Sequence, residues 1–225
     1  MPYPVCHVYI VLHYAANPNY ITGSIFPDVT HLLIQDKKHK LMSPFIKALG
    51  KTKEHKEFIK GIKLHVAIDK HLHKLYVYPK AAILAREFNL HPTTAEGYIE
   101  IALDRLIDRQ HPEVARIIKS SIKSVSTKKL ALYLSDATKM PLKKMKKALK
   151  SARLVAGFKK PYKLRALILK ALILRKYSRL RVREFKLLKS RKIAKQAEAL
   201  IKKDYEQAIK QAIRTIKLKK EKPKL

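Results

Sequence analysis

His65, Asp69 and His73 stand four residues apart in the run Gly61-Ile62-Lys63-Leu64-His65-Val66-Ala67-Ile68-Asp69-Lys70-His71-Leu72-His73. On an α-helix, side chains at i and i+4 point the same way. An imidazole nitrogen and a carboxylate oxygen so placed can meet one divalent cation at about 2.0–2.2 Å. On a helical wheel the run separates into three faces. Leu64, Ala67, Ile68, Leu72 and Leu75 make an apolar stripe, Lys63, Lys70 and Lys74 a solvent stripe, and His65, Asp69 and His73 the third. Ile62 and Val66 flank the third face and turn it inward, where imidazole and carboxylate need partners. Two readings are open: a plain His–Asp hydrogen bond on a half-buried helix, or a shared metal ion.

A second set of carboxylates follows. Thr93-Thr94-Ala95-Glu96 fits a capping box, with Thr93 as N-cap and Glu96 reaching back to it, so Glu96 reads as a cap. The helix that it opens carries Glu100, Asp104 and Asp108 at i, i+4 and i+8 beside Ile99, Leu103, Leu106 and Ile107. Like charges at that spacing repel by a few tenths of a kcal/mol per pair, roughly, so a cation should offset them. Arg105 and Arg109 could do so, and so could a metal shared with His65 and Asp69.

The elements that must position these groups read as helices throughout. Pro4 to Tyr14, which contains His7, makes the first. Asn17 to Asp28 holds two prolines and Gly23 and reads as a turn-rich connection, with Asp28 either a ligand or the N-cap of a short helix. Lys56 to Tyr76 is the central helix, and another runs from Pro79 to Phe88 and stops at Asn89. Beyond residue 118, Lys128 to Tyr133, Pro141 to Arg153, Tyr162 to Tyr177 and a long run from Arg181 to Ile216 show apolar residues at helical spacing. With 5 Gly and no Trp in 225 residues, the expected fold is all-α: a multi-helix bundle over 1–118 with a basic helical region, 119–225, packed on it.

The net charge of +34 is unevenly spread. Residues 1–118 hold 16 Lys and Arg against 11 Asp and Glu, and the remainder 35 against 6. Such a surplus should attract a polyanion, whether nucleic acid, an anionic membrane surface or an acidic protein, engaged through residues 119–225. No helix-turn-helix or zinc-finger pattern is legible there, so binding would be directed to a phosphate backbone. The single cysteine, Cys6, excludes an internal disulfide framework and suits a cytoplasmic protein, with peripheral attachment to a membrane left open. No stretch approaches the roughly 20 apolar residues of a membrane span.

The sequence Thr22-Gly23-Ser24-Ile25-Phe26-Pro27-Asp28, followed by Gly61-x-x-x-His65-x-x-x-Asp69, resembles the zinc-dependent phospholipase C family. It is also similar to the acyl carrier protein phosphodiesterases, in which an N-terminal His, an Asp after a Gly-rich turn, a His-x-x-x-Asp helix and a later Asp follow in that order. The resemblance covers the first half of the chain. It implies a helical metallohydrolase that cleaves phosphodiesters, with His7, Asp28, His65 and Asp69 as metal ligands. Glu100-x-x-x-Asp104 stands where the phospholipases carry His-x-x-x-Glu, and the N-terminal Trp ligand of those enzymes has no counterpart. The implied ion is divalent, zinc first, with Mn²⁺, Fe²⁺ or Mg²⁺ as alternatives because carboxylate replaces imidazole.

The expectation is therefore that His65, Asp69 and Asp104 converge on one point, joined by Asp28 and by His7 or Glu100, with His73 a further candidate ligand. His65 and Asp69 would act through the bound metal on an anionic phosphodiester, a phospholipid or a nucleotide. The alternatives are a non-catalytic nucleic-acid-binding protein and a phosphodiesterase acting on an acidic carrier protein.

Overall fold

Asn17 and Pro18 open a helix where turn chemistry suggests a loop. The Asn17 side-chain oxygen accepts hydrogen bonds from the amides of Asn19 and Tyr20 at 2.8 and 3.3 Å, and its carbonyl accepts from Ile21 at 3.0 Å. That is an N-cap, followed by proline at the first helical position. The computed structural model describes residues 4–34, 52–138, 141–146, 149–150 and 190–221, with the side chains of 4, 28–34, 137–138 and 218–221 outside the description. The helices are α1 (Pro4–Leu12), α2 (Pro18–Ile34), α3 (Lys53–Ile68), α4 (Tyr78–Phe88), α5 (Pro92–Gln110), α6 (Pro112–Ser124), α7 (Thr127–Thr138), α8 (Arg191–Lys202) and α9 (Tyr205–Glu221). A π-helical segment, Asp69–Val77, joins α3 to α4 without a break. The described residues contain no strand, and the fold is all-α.

Two expectations from turn chemistry are corrected. The connection 17–28 is helical, so Asp28 lies inside α2 rather than at its start. The capping box at 93–96 is not used. The N-cap of α5 is His91, whose Nδ1 accepts from the Thr93 amide at 3.3 Å, which leaves Glu96 available elsewhere. Asn89, by contrast, ends α4 as expected, in the left-handed conformation at φ 49°. The expected run 181–216 is two helices within the described part, 191–202 and 205–221. The expected helix 162–177 lies, with all of 151–189, outside the described residues.

Helix α3 runs between two apolar clusters. Leu64 and Ile68 pack in one with Val8 of α1, Ile21 of α2, and Ile99 and Leu103 of α5. Phe58 and Ile62 face the other, with Phe26, Leu130, Leu134 and Met145. Ile193, Ala197 and Ile201 of α8 and Ile209 of α9 enter the first cluster, so α8 lies on α4 and α5 and α9 on the π-segment. A polar clamp secures this arrangement. Tyr76 Oη donates to Asp204 at 2.5 Å and to the Ile201 carbonyl at 3.2 Å, while Lys80 Nζ donates to Asp204 at 2.6 Å and to the Leu200 carbonyl at 3.0 Å. Two carbonyls at the end of α8 thereby find donors.

The π-segment decides which residues face inward. Four residues overshoot an α-helical turn by about 40°, but fall short of the wider turn that closes on the fifth residue. The drift from His65 to Asp69 is thus reversed from Asp69 to His73, and the three stay on one face. Leu75 is carried out of the apolar stripe by the same change and is 54% exposed. No helix among the described residues is long and apolar enough to cross a membrane.

Candidate metal centre

Helices α2 and α3 cross at glycines. A Cβ on Gly23 would land on the Phe58 carbonyl, and one on Gly61 would land on that of Tyr20. Absence of both side chains brings the two backbones into contact and sets the Ser24 carbonyl against the next turn of α3. There His65 Nδ1 donates to it at 2.6 Å. The bond fixes the ring orientation and turns Nε2 toward Asp69, 3.4 Å away.

Helix α1 delivers the third member. The Cys6 amide, in the first turn of α1, donates to Asp104 Oδ1 at 3.0 Å. Asp104 thereby satisfies a donor that helix geometry leaves unpaired and places negative charge at the positive end of the helix. The next residue, His7, stacks on His65 at 4.3 Å between ring centroids and lies 3.2 Å from Asp69 Oδ1 through Nε2. His7 is fully buried, and its Nδ1 has no hydrogen-bond partner. Burial, reinforced by His65, pushes its pKa down to about 3, so the ring is neutral at pH 7. Burial also acts to raise the pKa of Asp69, but His65 and His7 outweigh it and hold the carboxyl well below its ordinary value.

A second group adjoins the first. His73 Nδ1 meets Glu96 Oε1 at 3.2 Å, and its Nε2 lies 3.3 Å from Glu100 Oε1 and 3.6 Å from Asp69 Oδ1. In each triad, His7/His65/Asp69 and His73/Glu96/Glu100, one potential ligand atom per residue lies within 4.8 Å of the others. Donors on a tetrahedral ion with bonds of about 2.0–2.1 Å stand about 3.3 Å apart. The N···O separations of 3.2 and 3.4 Å in the first triad match that spacing, as does the 3.3 Å between His73 Nε2 and Glu100 in the second, where Glu96 meets the opposite ring nitrogen; imidazole with ionised carboxylate is the donor chemistry a divalent ion requires. The residues fit the ion.

Of the seven residues singled out in the sequence, His7, His65 and Asp69 come together, and His73 and Glu100 lie beside them. Asp104 belongs to neither triad: one turn beyond Glu100 on α5, it accepts from the Cys6 amide of α1, next to His7 in the chain. The Asp28 side chain lies outside the described residues. Glu96 is a member that sequence reasoning assigned to a cap. Its spacing from Glu100 is the same i, i+4 spacing that marks His65 and Asp69, and that was the available signal.

Compared with known protein families, with curated proteins and with solved structures, the chain matches none.

Proposed function

We propose that this chain is a metal-dependent hydrolase of phosphodiester bonds, in keeping with its resemblance to the zinc-dependent phospholipases C and the carrier-protein phosphodiesterases. The observation that carries the reading is the pair of His/carboxylate triads meeting at Asp69. When bound, divalent ions supply Lewis acidity toward phosphoryl oxygens and hydroxide at neutral pH. The chain supplies the rest. Ser24 pins His65, Asp104 seats the helix bearing His7, and the buried, neutral His7 ring keeps its lone pair for a ligand role. Asp69 and Glu96, with 16% and 21% of their side chains exposed, are the members that reach solvent. A substrate phosphate would approach from that side, drawn by the net charge of +34.

The test is metal content of protein purified without a His-tag, together with hydrolysis of bis(p-nitrophenyl) phosphate with added Zn²⁺ or Mn²⁺. Wild type should hold metal and turn over, and His65→Ala should lose both while keeping its helical content. A wild type that binds no divalent ion and is inert with all of them sinks the reading.

The basic surface supports a second reading, a polyanion-binding protein without chemistry. Arg191, Lys192, Lys195, Lys202, Lys210 and Arg214 are all exposed on α8 and α9. Phosphate backbones, or an acidic carrier protein, would suit this surface.

A further inference from the structure

The two triads offer different donors. His7, His65 and Asp69 present two imidazole nitrogens and one carboxylate; His73, Glu96 and Glu100 present one nitrogen and two carboxylates. Imidazole suits zinc and the later transition metals, whereas carboxylate suits Mn²⁺ and Mg²⁺. Charge separates them too, because a divalent ion is half neutralised by the single carboxylate of the first triad and fully neutralised by the pair in the second. Glu96 and Glu100 stand at i, i+4 on α5 and meet opposite nitrogens of His73, Nδ1 at 3.2 Å and Nε2 at 3.3 Å, and Glu100 is only 2% exposed, where water screens little.

The triads also differ in stiffness. His65 is pinned to the Ser24 carbonyl at 2.6 Å and stacked on the buried ring of His7. In the second triad Glu96 is partly open to solvent. A preorganised, nitrogen-rich site releases its ion slowly, while an oxygen-rich site with a ligand at the surface exchanges.

We infer that the two triads are inequivalent cation sites: His7/His65/Asp69 retains zinc, and His73/Glu96/Glu100 holds an exchangeable, harder ion of the Mn²⁺ type, with Asp69 between them. Zinc outcompetes manganese at nearly any nitrogen or oxygen site. The difference therefore lies in the ratio of affinities, steep at the first triad and shallow at the second. The inference rests on the metal-dependent part of the reading above and is independent of which bond is cleaved.

Full-length protein stripped by chelation would be titrated calorimetrically with Zn²⁺ alone, with Mn²⁺ alone, and with Mn²⁺ after one equivalent of Zn²⁺. Metal content would be measured after dialysis, and bound Mn²⁺ read by electron paramagnetic resonance. Two zinc equivalents are expected, one of which survives dialysis, and the one-zinc protein should take up one Mn²⁺. Glu100→Gln, which keeps the side-chain shape, should weaken Mn²⁺ binding at least tenfold and leave the retained zinc in place. His65→Gln should lose the retained zinc. Circular dichroism matching wild type establishes that both variants fold. A single ion of either metal, two zinc ions of equal affinity, or loss of the retained zinc in Glu100→Gln overturns the inference. Protein that holds both ions but cleaves no phosphodiester upholds the inference and sinks the hydrolase reading; protein that cleaves with one ion, Glu100→Gln included, does the reverse.

Discussion

Gly23 on α2 and Gly61 on α3 occupy equivalent places in one helix crossing, each against the carbonyl that lies three residues before the other. The crossing brings the Ser24 carbonyl to His65, so a change at either glycine reaches the candidate metal centre without touching any of its proposed ligands. Gly61→Ala should destabilise the protein by about 1–3 kcal/mol, the usual cost of overpacking, and weaken metal retention as the helices part. Urea midpoints and metal content after dialysis check this. An alanine variant as stable as wild type would mean that the backbones are not in contact.

Asp104 acts on the site through α1. Asp104→Ala should cost about 0.5–2 kcal/mol, as loss of a helix cap does. It should lower metal affinity while leaving the number of bound ions unchanged. Loss of one whole equivalent, with stability intact, would instead make Asp104 a ligand.

The clamp at Asp204 has a pH signature. Burial acts to raise the pKa of this carboxyl, but the bonds from Lys80 and Tyr76 outweigh it and hold the group below its ordinary value. Its folded pKa therefore lies below the unfolded one. The stabilisation is complete above about pH 4 and is lost as pH falls through the folded value. Asp204→Asn should melt earlier than wild type at pH 7, and the difference should close toward pH 2. A gap that persists unchanged into acid would show that the charge on Asp204 plays no part.

If α8 and α9 engage nucleic acid, the slope of log K against log salt should be about −0.9 per phosphate contacted on B-DNA and about −0.7 on single strands. Binding to DNA, RNA and anionic vesicles at roughly 0.15 M salt, where the screening length is about 8 Å, separates the partners. Negligible nucleic-acid binding there removes the second reading.

The inward face of α3 and the π-segment was legible because His65, Asp69 and His73 repeat at the helical interval between apolar neighbours. The all-α class followed from composition for similar reasons. Residues 17–28 were not legible as helix: Asn-Pro and Gly mark turns in isolation, and only the contact between α2 and α3 shows that Gly23 is there for closeness rather than for bending. Glu96 was misassigned because a local cap and a long-range partner make the same demand on a carboxylate, and only tertiary packing decided for His73. Leu75 left the apolar stripe through a π-turn that spacing alone does not announce.

The clamp joins Tyr76 and Lys80 to residues 120 or more positions further along the chain. A chain emerging from the ribosome presents His7, His65, Asp69, His73, Glu96 and Glu100 long before Asp204 has been synthesised. Until then, the π-segment that carries two of those groups lacks the bonds that seat it in the finished fold. On the metal-binding reading proposed above, firm capture of an ion would wait until Asp204 has been made, so that the growing chain would not close its centre around whichever metal it meets first.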